Sequence, residues 1–391
     1  MVETSAPLPW RDDVSTPVQS PVTTPLRVAV LGAGTVGREV IRALLERPDS
    51  LRAADGSPLA LVGVAVRDIA RAIGGGIPES LLTDAPAHLI AAPETDLVVE
   101  LMGGDEPART LIGAALAAGK PVVTANKHVV AHHGSELEAI ARRTGAALRF
   151  EAAVGGGIPV LGPLALDLAA NRVDAVRGIV NGTTNFILSA MAGEGRPYAD
   201  VLADAQVAGY AEADPRGDVE GHDAVNKLVI LARLAFGQWL DPASISTAPG
   251  MAGGTAGLPG ITGVTLPDIV AAAEQGLAIK LIASAVRDGD GIHGAVVPSA
   301  VPLDGPFGRT DGVLNRIEVD ADLVGRVAFS GPGAGGPATS SAVLGDLMAI
   351  ARKAGSTWAG LPAATGPVTA APLAPGDVFI GPSGAAYPVV R

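Results

Sequence analysis

The chain contains no cysteine. This excludes disulfides, thiolate zinc sites, iron–sulfur clusters and any cysteine nucleophile. Aldehyde dehydrogenases that work through a thiolate acyl-enzyme are therefore excluded. Aromatic residues are scarce, with 6 Phe, 3 Trp and 3 Tyr in 391 residues, so a platform for stacking bases is lacking. Positive charge is also short. Against 40 Asp and Glu stand 28 Lys and Arg, a formal net charge of −12. Such a chain repels polyanions, which argues against nucleic acid and anionic membranes as partners. No apolar run reaches the roughly 18 residues that a membrane-spanning helix needs. Residues 1–25 hold five prolines and lack the basic start and apolar stretch of a signal peptide, so they read as a disordered tail. A cytoplasmic location is expected. Lysine is rare as well: Lys120, Lys127, Lys227, Lys280 and Lys353 are the only five. Lysine can lose its proton where its surroundings lower its pKa and arginine cannot, so each lysine carries more information than usual.

What is present is an alternation of short apolar runs and helical patterns. Leu26 to Leu31 (LRVAVL) reads as a buried parallel strand, and Val40, Ile41, Leu44 and Leu45 recur at helical spacing after it. Ala60 to Val66, Leu97 to Leu101, Val122 to Thr124 and Ala147 to Phe150 read as further strands, with helices over Pro107 to Ala118 and Ser135 to Thr144. This pattern predicts a doubly wound α/β domain over residues 26–150. From residue 151 the texture changes to glycine-rich turns between longer segments, which reads as an α+β domain over 151–337. A helix over 338–354 returns to the first domain, and 355–391 form a short C-terminal tail.

Between the first strand and first helix lies Gly32-Ala33-Gly34-Thr35-Val36-Gly37. In a Rossmann-type dinucleotide fold the first glycine permits the turn, the second admits the pyrophosphate and the third lets helix pack on strand. The helix N-terminus then offers free N–H groups to phosphate. The second strand ends in Arg67 and Asp68. Arg67 suits the 2′-phosphate of NADP, while Asp68 keeps NAD open, because sequence does not say which side chain faces the ribose.

Two clusters carry candidate chemistry. Thr124-Ala125-Asn126-Lys127 follows a strand at its carboxyl end, where ligands bind in an open α/β sheet. Taken alone, Lys127 reads as an exposed loop lysine, the usual case for a single lysine. In the segment Gly209 to Lys227, the acids Glu212, Asp214, Asp218, Glu220 and Asp223 crowd together. Asp223 and Lys227 are spaced to share a helix face, which alone is a surface ion pair worth a few tenths of a kcal/mol, roughly 0.2–0.5. The six histidines form no HExxH pattern. Lys280, inside LAIKLIASA, reads as structural, its stem packed and its ammonium reaching out.

Together these segments resemble homoserine dehydrogenase, from about Leu26 to Arg352. The resemblance is carried in order by GAGTVG, VELMGG, GKPVVTANK, EAAVGGGIPV, NGTTNFIL, AQVAGYAEADPRGDVEGHDAVNK, GLAIKLIA and FSGPGAGGPATSSAV. It implies NAD(P)-dependent interconversion of L-aspartate 4-semialdehyde and L-homoserine, on the route to threonine, isoleucine and methionine. Lys127 and Lys227 are then the proton-transfer pair, with Lys127 the general acid/base and Asp223 orienting Lys227. Glu212 would hold the substrate ammonium, Asp218 would order the pocket, and Tyr210, Gly182 and Thr183 would complete its wall, although NGTTN alone reads as a turn. The cofactor would meet Gly32, Gly34, Thr35, Val36, Gly37, Arg67, Gly103, Thr124 and Lys127. Main-chain carbonyls of Glu151, Val154, Gly156 and Ile158 would hold a monovalent cation such as Na+, where the residues alone also fit a glycine-rich hinge. A homodimer through the second domain's sheet is implied. Residues 355–391 are too few for the amino-acid-sensing domain that many members carry. Another two-domain dehydrogenase or a non-catalytic nucleotide sensor are the rival readings.

Overall fold

The computed structural model describes residues 24–251, 256–374 and 376–391. The expected N-terminal tail falls, up to residue 23, outside the described residues. The first half contains strands β1 (Leu26–Leu31), β2 (Leu59–Ala65), β3 (Leu82–Thr83), β4 (Leu97–Glu100), β5 (Val122–Thr124) and β6 (Leu148–Arg149). Between them run helices α1 (Thr35–Glu46), α2 (Ile69–Gly74), α3 (Pro86–Ala91), α4 (Ala108–Ala117) and α5 (Lys127–Thr144). The strands form one parallel sheet in the order β3-β2-β1-β4-β5-β6. The order reverses between β1 and β4, which opens a crevice beyond their carboxyl ends. Apolar β-branched runs suit this place, since a parallel sheet is covered on both faces; Val28, Val30, Leu97, Val98 and Val99 have no exposed surface.

Helix α5 begins eight residues before the expected start at Ser135. Asn126 caps it, its Oδ1 accepting the Val129 N–H at 3.2 Å, and Gly145 ends it with φ 76°. The three histidines of its first two turns hide the apolar periodicity that would announce it.

The second half supplies α6 (Leu161–Ala165), β7 (Val173–Ile179), α7 (Gly182–Glu194), α8 (Tyr198–Val207), α9 (Arg216–Val219) and α10 (His222–Phe236). There follow β8 (Trp239–Leu240), β9 (Gly250–Met251), α11 (Leu266–Glu274), β10 (Leu277–Asp288), β11 (Gly291–Pro302), β12 (Leu314–Ala321) and β13 (Gly325–Pro332). An antiparallel sheet of order β11-β10-β7-β12-β13 is packed by α7 and α10.

Helix α10 also lies along α5. The two run parallel, because Lys127 meets Asp223, His132 meets Asn226 and Glu138 meets Arg233 in sequence order. Glu138 is buried and takes Arg233 Nε at 2.9 Å, Arg233 Nη2 at 2.7 Å and the Trp239 indole N–H at 2.8 Å. Stripping water from such charges is costly, and they tolerate little misalignment. The pair therefore fixes the register in which α5 presents Lys127 to α10.

Helix α12 (Gly336–Ala351) packs on α1. Its Val343, Leu347 and Ala351 join Val28, Val40, Ile41 and Leu44 in one core. The residues expected as a short C-terminal tail are instead built into the body. They form β14 (Pro367–Val368), which pairs with β8, and β15 (Val378–Ile380) and β16 (Ala385–Pro388), which pair with each other, β16 also with β9. Tyr387 is fully buried and donates to Asp268 at 2.9 Å. Lys280 also corrects its expectation. Its ammonium is buried, not reaching out, and donates to Asn185 Oδ1, Ser189 Oγ, Thr310 O and Asp311 Oδ1 at 2.8–3.1 Å. Four acceptors within reach make up for the water it loses. Among the described residues no helix is long and apolar enough to cross a membrane.

Candidate active site

At the end of β1 the chain turns through Gly32, whose φ is 99° and where a Cβ would lie 2.6 Å from the Leu101 carbonyl oxygen. At Gly37 a Cβ would lie 2.2 Å from the Gly32 oxygen, so α1 can sit this close only without a side chain there. Gly34 faces open space, and no side chain caps α1. An uncapped helix start above a bare glycine is a cradle for phosphate. The cleft in front of it is lined by Gly34, Thr35, Val36, Met102, Gly103 and Asn126. A dinucleotide therefore fits these residues. Thr124 lies at this end of the sheet, but its hydroxyl is buried and donates to Glu100 at 2.6 Å. At the tip of β2, Asp68 is engaged as the cap of α2, accepting the Arg71 N–H at 2.9 Å, whereas Arg67 is exposed.

Beside this cleft the two expected amines converge. Lys127 is the first residue of α5, and its Nζ lies 2.9 Å from Asp223 Oδ1. Lys227, one turn along α10 from Asp223, donates to Asp223 Oδ2 and to the Val180 carbonyl, both at 2.7 Å. Asp223 and Lys227 are buried, while 43% of the Lys127 side-chain surface is exposed. Burial by itself would push the Asp223 carboxyl up, but Lys227 and Lys127 together hold it well below the usual carboxylate range. The charge of Asp223 raises Lys127 against burial. Burial wins at Lys227, which is pulled down despite Asp223.

The NGTTN segment is expected at the pocket wall, with no role for Asn181 itself, yet Asn181 sits at the centre. Its Nδ2 donates to Asp223 Oδ2 at 2.8 Å and to Asp218 Oδ1 at 2.7 Å. Its Oδ1 accepts the Thr184 N–H and so caps α7. An Asn-Gly pair directly after an apolar strand was the available signal, and it marks a helix cap as well as it marks a turn. Burial raises Asp218, against the bond from Asn181. Thr183 Oγ1 donates to the Tyr210 carbonyl at 2.7 Å, and Gly182 abuts the Val313 backbone, where a Cβ would come within 2.8 Å of its oxygen. Tyr210 is exposed, its ring 4.9 Å from that of Phe186. Glu212 is also exposed, and its charge reaches Lys127. The structure thus brings Lys127, Lys227, Asp223, Asp218 and Asn181 into one cluster, with Thr183, Tyr210 and Glu212 at its open side.

The Glu151–Ile158 loop is buried around Glu151 to Gly156. The Glu151 carboxylate accepts the N–H groups of Val160, Leu161 and Gly162, each at 2.8 Å, and so serves the start of α6. The carbonyls of Val154, Gly156 and Ile158 accept no backbone hydrogen bond among the described residues. Unpaired carbonyls in a buried loop are costly unless something binds them, and their oxygens suit a hard cation. Among the described residues no cluster of His, Asp and Glu side chains could hold a metal ion.

Residues 159–348 match the family model described as homoserine dehydrogenase, and residues 32–151 match that of its NAD-binding domain. The homoserine dehydrogenase of Corynebacterium glutamicum is 45% identical over 350 residues, covering 86% of this chain and 76% of the relative. That of Bacillus subtilis is 39% identical over 325 residues, with 83% and 72% covered. Among solved structures, a homoserine dehydrogenase from Thiobacillus denitrificans superposes with a TM-score of 0.78 at 39% identity, over 88% of this chain and 80% of that one. A hyperthermophilic archaeal homoserine dehydrogenase in complex with NADPH gives a TM-score of 0.67 at 25% identity, over 83% and 97%.

Proposed function

The chain belongs to the homoserine dehydrogenase family, and from that premise we propose how its residues divide the work. It is an NAD(P)-dependent oxidoreductase that interconverts L-aspartate 4-semialdehyde and L-homoserine in amino-acid biosynthesis. When bound in the Gly32–Gly37 cleft, the nicotinamide cofactor would supply the hydride to the aldehyde, or take it from the alcohol. The convergence of two ammoniums on the buried Asp223 supports the rest. As the aldehyde carbon is reduced, negative charge grows on its oxygen, and fixed positive charge in a water-poor pocket lowers that barrier most. Lys227 is buried and bound to Asp223 and Val180, so it acts as a standing charge. Lys127 is half open to solvent, so it gives its proton to the nascent alkoxide and regains one from water. Glu212 takes the substrate ammonium, and Asp218 and Asn181 hold Asp223 in place.

For the cofactor we propose NADP. Asp68 is engaged as a helix cap, which leaves the exposed Arg67 to meet the 2′-phosphate. Arg67→Ala is expected to raise KM for NADPH about tenfold, the effect of one charge-assisted hydrogen bond. KM for NADH should not change. Equal effects on the two cofactors would remove Arg67 from the 2′-phosphate. The unpaired carbonyls of Val154, Gly156 and Ile158 support a bound Na+. Exchanging Na+ for tetramethylammonium at constant ionic strength should then lower the melting temperature and the turnover. If both hold steady, the loop is only a hinge. Products feeding threonine, isoleucine and methionine, a cytoplasmic location and a homodimer through the antiparallel sheet follow from the family resemblance. Light scattering in solution measures the last of these.

The assay is direct. NADPH and NADH oxidation is followed with aspartate semialdehyde, and NADP+ and NAD+ reduction with homoserine. Cofactor binding with no turnover in either direction would make the chain a sensor.

A further inference from the structure

Glu100 ends β4, where it pairs with Leu31 of β1 and Thr124 of β5. It is fully buried, and among the described residues its carboxylate is held by neutral donors, the Met102 and Gly103 N–H groups and the Thr124 hydroxyl. Its Oε1 accepts the N–H groups of Met102 at 2.7 Å and Gly103 at 3.3 Å, and its Oε2 accepts the Thr124 hydroxyl at 2.6 Å. Thr124 Oγ1 in turn accepts the Asn126 N–H at 2.9 Å, and Asn126 Nδ2 donates to the Gly104 carbonyl at 2.8 Å. One carboxylate thus ties the loop that lines the nucleotide cleft to the residue that caps α5. Lys127 is the next residue.

A buried acid held only by neutral donors is expensive, and it persists only where its hydrogen bonds are complete. Burial pushes this carboxyl up, and the bonds donated by Thr124, Met102 and Gly103 oppose it. The ionised form suits the geometry. Thr124 then donates to Glu100 while accepting from Asn126. A neutral amide in its place would present N–H to the threonine oxygen and leave the threonine hydrogen without an acceptor.

We propose that Glu100 is the positioning residue of the proton-transfer pair: through Thr124 and the Met102–Gly104 loop it sets where α5 begins, and so holds the Lys127 ammonium on Asp223. This rests on the reading of Lys127 as the acid. It concerns this chain's own residues and needs no contact between Glu100 and substrate.

Glu100→Gln keeps an acceptor for the loop N–H groups and reverses the link to Thr124, whose hydroxyl loses its acceptor. Turnover should fall about 10- to 100-fold, the usual cost of misplacing a catalytic group by about an ångström. The Kd for NADPH, read by nucleotide fluorescence, should stay within about threefold because the cleft loop keeps its anchor. As Lys127 leaves the carboxylate that raises it, the high-pH limit of aldehyde reduction should move down by about one pH unit. The pH at which the Lys127 amine of the cofactor-free protein becomes reactive to an acylating reagent should move with it. Thr124→Val should reproduce these changes, and Thr124→Ser should restore them. That pair decides the matter if Glu100→Gln does not fold. A merely structural role would lower the melting temperature and leave both pH values in place, and that result overturns the proposal. So would wild-type turnover in a folded Glu100→Gln, or equal losses in the two Thr124 variants. If Lys127→Ala retains turnover, the reading of Lys127 fails. If it does not, and Glu100→Gln matches wild type, only the positioning role fails.

Discussion

Lys127→Ala and Lys227→Ala are each expected to lower turnover by at least roughly 100-fold, the contribution of a positioned proton donor or charge at the reacting oxygen. Circular dichroism should show the fold unchanged in both. The two variants differ beyond that. Lys127 is half exposed, so its removal takes away an amine that water can replace poorly. A small primary amine added to Lys127→Ala should therefore recover part of the rate. Lys227 is buried and bound to Asp223 and Val180. Its removal leaves a carboxylate short of one partner, so Lys227→Ala should also lower the melting temperature and gain little from added amine. Near-normal turnover in both variants would reject the assigned chemistry.

Asp223→Asn should cost a comparable factor, about 100-fold or more, with an informative pH dependence. The carboxylate raises Lys127 and opposes the fall of Lys227. Without it the two ammoniums face each other uncompensated, and each makes the other easier to deprotonate. Aldehyde reduction needs the protonated amine, so its high-pH limit should move to lower pH in Asp223→Asn. The stability effect has a separate window. The folded protein holds the Asp223 carboxyl below its unfolded value of 3.8. Its contribution is therefore present above that value and fades as pH falls below it. Acid titration of wild type should show this loss below about pH 4, and Asp223→Asn should lack that part of it. A pH profile in Asp223→Asn that superposes on wild type would remove Asp223 from the proton-transfer pair.

Much of the site can be read from residues alone because its parts are local. The turn Gly32 to Gly37 shows itself through three glycines, two of which, Gly32 and Gly37, stand where a Cβ would clash with backbone, while Gly34 leaves the cleft open. Asp223 and Lys227 declare a shared face by spacing. Other parts carry no such mark. Asn181 looks like any Asn of a turn, and its two carboxylate partners lie 37 and 42 residues away. Thr124 looks free to touch a cofactor, yet its hydroxyl is engaged by Glu100, 24 residues earlier. The charged residue within an apolar strand, Glu100, reads as an oddity of the motif VELMGG until β1, β4 and β5 are laid side by side. The ammonium of Lys280 looks bound for solvent until the Thr310–Asp311 segment closes on it.

The sequence by itself determined the alternation of strands and helices, the phosphate cradle and the identity of the two amines, since these depend on backbone freedom, periodicity and residue chemistry within a few positions. Tertiary structure alone decided that the amines share one carboxylate. Lys127 and Lys227 stand on different sheets' helices, and their meeting depends on α5 and α10 running parallel in the register that Glu138 and Arg233 impose. The packing of residues 355–391 into the body was decided there as well. Short strands with little pattern gain their stability from the partners β8 and β9, which no local signal names.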